Sequence, residues 1–539
     1  MSVSVRPESI RAGVRFWPSV IALAVPALLL GTALRSFVNA DEKLWFDEIW
    51  TGAIAMQDWH GAFDMLHSDV IAPLFFVSAW AWSKLFGLSD VSLRMPGMIT
   101  AIAAAFLPWL MLRRRLPRFE LALLTVLIAL WIPGLYEAQE ARTYGFVLFL
   151  SVLHTVCFFR VLQSEGDRLE IAGWAMAGVL LGMTHYMALL LSALQGLTLV
   201  ALFWRTRLVA LVLAGLAFLP VFGMIWLQSG PMDAYMHYDY FWLKKMSPYQ
   251  FLKAAAYIAG DKYFAPFFYL FLAGALVVDA RATRGPATPN GPGLVAAAAG
   301  AWKTRIQGGL ASPLFVTGCL SLLAVMLFLG LTMLRPLFLP RYLMPYVPGV
   351  FMLLVWAIAA MPECGRRVGG MLAGLFFLGA FAWAGVSVNV VDKGLTWGPE
   401  SALLEKAGVT DMLFFLDQGY PIPYREDILS KVYGFFFVRD HYDARAHPFT
   451  PDYATGDDPR PRLARYLATP GHGLIWTLHL GPGPGPVPAD RAGRKKRIRE
   501  RGFSSVYDFT ALATIPGVTC RTMGADWYRK YVCYSARAR

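Results

Sequence analysis

Twelve apolar runs fix what this chain can fold into. They cover 16–38, 71–87, 95–112, 119–135, 143–162, 169–184, 186–204, 208–227, 265–280, 313–334, 342–361 and 368–390. Most are close to the ~20 residues a helix needs to cross the ~30 Å hydrocarbon core of a bilayer. Lipid offers no partner to backbone N–H and C=O groups, so such runs must be helical. Composition agrees: 57% of the 539 residues are hydrophobic and 16% charged, and mean hydropathy is +0.48, far more apolar than a soluble domain requires. The fold class is an α-helical polytopic membrane protein. The net charge of +13 reads as basic loops on one side of the membrane plus a basic patch near the C-terminus. No nucleic-acid-binding motif accompanies it.

Charge settles the parity of the spans. If all twelve cross, RRRLPR at 113–118 faces outward, against the bias of basic residues toward the cytoplasm. Run 71–87 is short, starts beside Pro73 and carries Lys84, as suits a helix lying along the interface. Without it about eleven spans remain. Arg113, Arg114, Arg115 and Arg118, then Arg160 and Arg168, Arg205 and Arg207, Arg281, Arg284, Lys303 and Arg305, and Arg366 and Arg367 then all face inward. This requires 169–204 to hold two helices of roughly 16 residues, turning near Thr184, His185 and Tyr186. A single helix there would invert everything downstream. The first run follows Arg6, Arg11 and Arg15 and reads as an uncleaved span with its N-terminus inside.

The expected layout is a membrane domain over 1–390 in the cytoplasmic (inner) membrane and an extracytoplasmic domain over 391–539. Segments 39–94, 136–142, 228–264 and 335–341 lie outside with that tail, and the Gly-, Ala- and Pro-rich 282–312 is an inner linker. The tail is long enough for a small domain. Strand-like runs at 412–416, 433–438, 474–480 and 527–534, with helical stretches near 426–432 and 460–468, predict an α/β fold. GPGPGPVP at 481–488 is a loop, and 491–501 is a basic run.

The outer segments hold the candidate chemistry. In LWFDEIWTG, 44–52, Asp47 and Glu48 sit among Trp45, Phe46, Ile49 and Trp50. Carboxylates at membrane depth are costly and usually functional. Adjacent side chains diverge on a helix, so one acid is expected to act while the other orients it or binds metal. In YEAQEARTY, 136–144, Glu137, Glu140 and Arg142 crowd a short turn. Either a Glu–Arg ion pair closes a helix end, or Arg142 holds a phosphate through its planar fork. Arg341, Arg335, Lys244 and Lys245 lie on the same side, either snorkelling to the interface or meeting an anionic lipid head group. His185 with Tyr186 is a packing or substrate-contacting pair at a helix end.

Three motifs carry a resemblance. WFDEIWT at 45–51, APLFFVSAWAWSKLFGLSDVSLRMPG at 72–97 and EAQEARTYG at 137–145, with a fainter RYLMPYVPG at 341–349, resemble in order and spacing the polytopic glycosyltransferases of the GT-C fold. The branch resembled is that of protein O-mannosyltransferases and lipid A aminoarabinose transferases. Ala72 stands where that family usually has a first proline. The resemblance implies an enzyme that moves a sugar from a polyprenyl-phosphate donor to a hydroxyl acceptor in the cell envelope, outside the membrane and with inversion. It implies Asp47 as base, with Glu48 assisting or sharing a divalent cation. Arg142, Arg341 and Lys244 or Lys245 would hold the donor phosphate. Arg94, Glu140, Tyr144, His185 and Tyr186 would line the substrates. No cofactor beyond a possible divalent cation is implied. The rival readings are a lipid-linked sugar transporter, which would need polar groups along a path through the spans, and a ligase using a lipid-diphosphate donor.

Cys157, Cys319 and Cys364 fall in or beside apolar runs, whereas Cys520 and Cys533 stand in the outer tail. An oxidising compartment favours a disulfide between the latter two. In denatured, unreduced protein both should resist alkylation, and labelling of both would refute the bridge.

Overall fold

The computed structural model describes residues 17–37, 44–236, 247–270, 272–273, 312–335, 337–361, 363–387, 398–417, 425–439, 444–478, 486–523 and 529–536. Lys244, Lys245, the inner linker up to 311 and half of run 265–280 fall outside them. Among the described residues six segments are long and apolar enough to cross a membrane. The helices of the membrane half are α1 (Trp17–Phe37), α2 (Phe46–Met56), α3 (Trp59–His67), α4 (Leu74–Phe86), α5 (Asp90–Leu112), α6 (Arg118–Leu130), α7 (Ile132–Glu137), α8 (Tyr144–Gln163) and α9 (Arg168–Gly182). They continue as α10 (Leu189–Leu216), α11 (Leu219–Leu227), α12 (Ser229–Met236), α13 (Pro248–Ala259), α14 (Pro313–Leu334), α15 (Val347–Ala359) and α16 (Glu363–Ser387).

Helix α4 has 13 residues, about 20 Å at 1.5 Å per residue, too short to cross. The hairpin expected in 169–204 is present: α9 ends at Gly182 and the chain re-enters helix after a 3₁₀ turn at Tyr186–Ala188. The next reversal has no loop. Helical residues run on both sides of Arg207, whose φ of −132° and ψ of 21° break the helix. Both arms then pass α9, since Trp174 donates to Gln195 at 2.8 Å while Phe218 lies beside Gly178 and Val221 beside Gly182. Run 119–135 also departs from expectation, for it breaks at Trp131 (ψ 111°) into α6 and α7. Pro133 has no N–H to return to the carbonyl of Ala129. The fully buried Arg35 of α1 supplies the donors, giving Nη1 to Ala129 at 2.7 Å and Nη2 to Ile128 at 3.2 Å.

Two ends of the bundle follow from these contacts. At one, Arg115 and Arg160 share Glu170 at 2.9 and 2.6 Å, Arg207 donates to Gly166 at 2.8 Å, and Gly369, just after Arg366 and Arg367, lies against Phe119. The basic clusters at 113–118, 160–168, 205–207 and 366–367 therefore gather at one end among the described residues, while Arg281, Arg284, Lys303 and Arg305 lie outside them. At the other end lie α2, α4 and the turns at 131–143 and 183–188. Helices α5 and α8 meet there at Gly97 and Gly145, where a Cβ on Gly145 would collide with the Gly97 backbone.

The C-terminal unit is a five-stranded sheet of order β2-β1-β3-β5-β4, with β1 (Asp411–Asp417), β2 (Arg445–Pro448), β3 (His472–Leu478), β4 (Val518–Met523) and β5 (Arg529–Ser535). Strand β1 pairs in parallel with β2 and β3, and β5 runs antiparallel to β3 and β4. Helices α17 (Gly398–Lys406), α18 (Glu426–Arg439), α19 (Arg460–Leu467) and α20 (Arg491–Arg501) complete it. Residues 433–438, expected as a strand, are the second half of α18. The helical spacing of Ile428, Leu429, Val432, Tyr433 and Phe435 puts an apolar stripe on one face, and all five are buried. Cys520 and Cys533 face each other across β4 and β5 and are bonded.

This unit shares its core with the segment between α1 and α5. Leu44, Ile49, Ala53, Phe75 and Phe76 belong to one buried cluster with Leu404, Phe414, Val432, Phe435 and Ile475. At the contact, Gly52 of α2 faces the Phe435 ring so closely that a Cβ would strike it. Arg425 adds a surface pair to Asp64 at 2.9 Å. Gly52→Ala should therefore cost about 1–3 kcal/mol by overpacking and loosen the C-terminal unit. Thermal unfolding in detergent and protease release of the unit would register it, and adding Phe435→Leu should recover part of the loss.

Candidate active site

Helix α2 starts at the β-region residue Trp45 and brings Asp47 and Glu48 into its first turn, where the helix dipole favours negative charge. The two carboxylates then diverge. Glu48 is fully buried. Its Oε1 accepts from Arg94 Nε at 2.8 Å and from the Ala141 N–H at 2.7 Å. Its Oε2 accepts from Arg94 Nη2 at 2.7 Å and from the Trp45 N–H at 3.1 Å. One turn on, Thr51 donates to the Ala141 carbonyl at 2.6 Å. The first outer motif is thus bolted to the other two, through Arg94 of α5 and the peptide of Ala141. Arg94 is 2% exposed and is spent on this pair, away from solvent.

Asp47 is a quarter exposed, and its Oδ2 accepts from Arg341 Nη2 at 3.3 Å. Arg142 donates Nη1 to the Asp47 backbone carbonyl at 3.0 Å and stacks over Phe76. Arg341 lies 5.0 Å over the Tyr144 ring. His185 packs between Tyr144 and Tyr342, at ring distances of 6.3 and 5.0 Å, and burial lowers its imidazole to about 4, helped by the Arg341 charge. It is therefore neutral. Glu140 is buried in the same turn as Arg142. Tyr186 points elsewhere, donating to Gln228 at 2.7 Å, and Gln228 in turn fastens to the carbonyls of Leu66 and Ile71. The pair Asp47 and Arg341 thus joins first-loop and last-loop residues 294 positions apart.

Four polar atoms on and near the two arginines that meet Asp47 are buried without a hydrogen-bond partner: Nε of Arg142, Nε of Arg341, Nδ1 of His185 and the hydroxyl of Tyr257. Tyr257 was not singled out in the sequence. It sits on α13 near Glu137, Tyr144 and Arg341, and burial raises its phenol well above the usual value, leaving it a neutral donor. An unsatisfied buried donor costs about 1–3 kcal/mol, so several on and near these two arginines are out of the ordinary. They are what a ligand with several acceptor oxygens would satisfy. Among the described residues no group of three or more His, Cys, Asp or Glu side chains is placed to hold a metal. Asp47 and Glu48 do not chelate jointly, because both oxygens of Glu48 face Arg94 and backbone N–H groups.

No protein-family model matches the chain, and no curated protein is similar to it in sequence. Solved structures are. ArnT from Cupriavidus metallidurans, a lipid A aminoarabinose transferase, matches in its apo state with a TM-score of 0.55 at 12% identity, over 95% of this chain and 97% of that one. Its structure bound to undecaprenyl phosphate matches over the same shares at 12% identity with a TM-score of 0.51. A weaker likeness, TM-score 0.41 at 12% identity over 85% of this chain and 68% of that one, is to the oligosaccharyltransferase of Archaeoglobus fulgidus in complex with zinc and sulfate. The chain has the GT-C fold, with a C-terminal α/β unit.

Removing one charge from the buried Glu48–Arg94 pair typically costs about 3–5 kcal/mol. Glu48→Gln should therefore lower the melting temperature markedly. Asp47→Asn, at a quarter-exposed position, should leave it nearly unchanged. Melting curves of the two variants in the same detergent test the division.

Proposed function

We propose that the chain is an inverting glycosyltransferase that takes a sugar from a polyprenyl-phosphate donor and delivers it to a hydroxyl acceptor at the outer face of the cytoplasmic membrane. The observation that carries this reading is the set of unpartnered donors on Arg142 and Arg341, the two arginines that meet Asp47, and on Tyr257 near Arg341. A phosphate has the acceptor oxygens to satisfy them, and a guanidinium binds it in matched geometry. The likeness to an ArnT structure that holds undecaprenyl phosphate supports a lipid-borne phosphate as the source.

In this reading Asp47 accepts the proton of the acceptor hydroxyl while the oxygen attacks the anomeric carbon from the face opposite the phosphate. The bond from that carbon to the phosphate oxygen breaks, and its electron pair leaves with the polyprenyl phosphate. Arg142, Arg341 and Tyr257 receive the growing charge, being fixed in place before the reaction starts. Glu48 holds no reacting atom. It positions Asp47 by fixing the first turn of α2 against Arg94 and Ala141. Neutral His185, with Tyr144 and Tyr342, forms a wall beside Arg341. Glu140 keeps the turn before Arg142 in place. Lys244 and Lys245 remain candidates for the phosphate on charge alone. Asp47 is the base of the proposal, and no metal step is needed for it.

The disulfide of the C-terminal unit supports an oxidising compartment. That unit packs on the Asp47 helix, so the carboxylate would lie outside with it. The arginine end of the bundle would then face the cytoplasm.

The purified protein, supplied with a panel of polyprenyl-phosphate sugars and acceptor glycans or lipids, should release polyprenyl phosphate. Asp47→Asn should cut kcat by about 10²–10⁴ and still bind undecaprenyl phosphate. Arg341→Gln and Arg142→Gln should instead weaken that binding. Full activity in Asp47→Asn would remove the proposed base. Lipid release from one leaflet to the other without sugar transfer would favour a transporter.

A further inference from the structure

At the end of the bundle opposite Asp47 a cleft of about 320 Å³ is lined by Leu110, Met111, Arg113, Arg114, Arg115 and Arg160. Helix α5 links the two sites, with Arg94 in its first turns and Arg113 just past its end. Its 23 residues span about 35 Å, so the cleft is separate from the site at Asp47. Two of its arginines are built into the wall. Arg115 and Arg160 both donate to Oε1 of Glu170, at 2.9 and 2.6 Å, and Gln163 donates to the Arg115 carbonyl at 3.3 Å. Arg113 and Arg114 are exposed, and among the described residues no carboxylate pairs with either. Four guanidiniums thus line the cleft, two of them held by Glu170, at a place where helix ends converge.

The cleft is not simply open to water. Ile99, Phe106 and Leu110 recur at helical spacing on one face of α5 and are 45, 37 and 63% exposed. That apolar stripe leads along the helix straight into the arginines. The stripe is the side of a membrane span that lipid tails cover, so lipid is already present at the mouth of the cleft, whereas a free anion would use the charges alone. A lipid uses both, with its chain along the stripe and its phosphate among the guanidiniums.

We infer that this cleft is a binding site for the phosphate head group of an anionic phospholipid of the leaflet at that end, distinct from the donor site. Arg113 and Arg114 provide the charge, and Glu170 keeps Arg115 and Arg160 in position behind them. The site goes beyond the proposed transferase reaction and stands whether or not that reading holds.

Native mass spectrometry of the full chain in a neutral detergent tests it by titration with phosphatidylglycerol, phosphatidylcholine and inorganic phosphate. One phosphatidylglycerol should bind at least tenfold more tightly than phosphatidylcholine. The double variant Arg113→Gln/Arg114→Gln should lose about tenfold, and Arg113→Lys/Arg114→Lys should recover most of that. Neither substitution removes a hydrogen bond or ion pair among the described residues, so the melting temperature should hold. Equal binding of the two lipids by the wild type would overturn the inference whatever the variants do, as would unchanged binding in the glutamine variant. Displacement of the lipid by inorganic phosphate at the same concentration would also overturn it, by showing that the cleft takes the free ion.

Discussion

The structure hangs on one carboxylate. Glu48 meets a guanidinium from α5, the backbone N–H of Ala141 and the backbone N–H that opens its own helix. Each is hydrogen-bonded to an ionised group in a dry place, where such bonds are strong and where leaving one unmade is costly. The three stretches of sequence that looked functional are therefore fastened to each other through Glu48. Asp47, its neighbour, is held at the surface of that knot with one oxygen toward Arg341. The division of labour between adjacent acids follows from helix geometry: about 100° of turn separates their side chains, so one must face in when the other faces out.

The same accounting of backbone partners shapes the membrane half. Pro133 ends α6 inside the bundle and leaves carbonyls that lipid cannot satisfy. Arg35 reaches over from α1 to take them. A charged residue that would be expensive alone is here the cap of a broken helix, and cations suit the negative end of the helix dipole. The break lets the chain turn directly into the 137–143 segment, which carries Arg142 and the Ala141 peptide. Thus a proline at the end of one span helps bring the second outer motif to the first.

Much of this was legible in the residues. Hydropathy marked the membrane helices, and the grouping of arginines anticipated that the described basic clusters share one end of the bundle, because both report on a solvent with one dominant demand. Asp47 and Glu48 stood out because acids among interfacial aromatics are conspicuous. Other features were hidden for physical reasons. Which of two adjacent acids is buried depends on a partner 46 residues away. Tyr257 is one aromatic among many in an outer segment, and its unpartnered hydroxyl exists only once α13 is packed. Residues 433–438 have strand composition, and their helical state is decided by the surface of β1 beneath them and by Gly52 above. Arg35 is a lone cation in an apolar run, and its role depends on Pro133, a residue of another span.

The shared core between α2 and the C-terminal unit has a consequence in time. Gly52 leaves the ribosome hundreds of residues before Phe435, and at ~5–20 residues per second that interval is on the order of half a minute. During it the helix bearing Asp47 has an apolar face with nothing to cover it. The spans can be inserted and paired while the carboxylate end is still incomplete. The last-made part of the chain closes the first-made loop, so a molecule halted short of α18 would hold its membrane helices without a finished seat for Asp47.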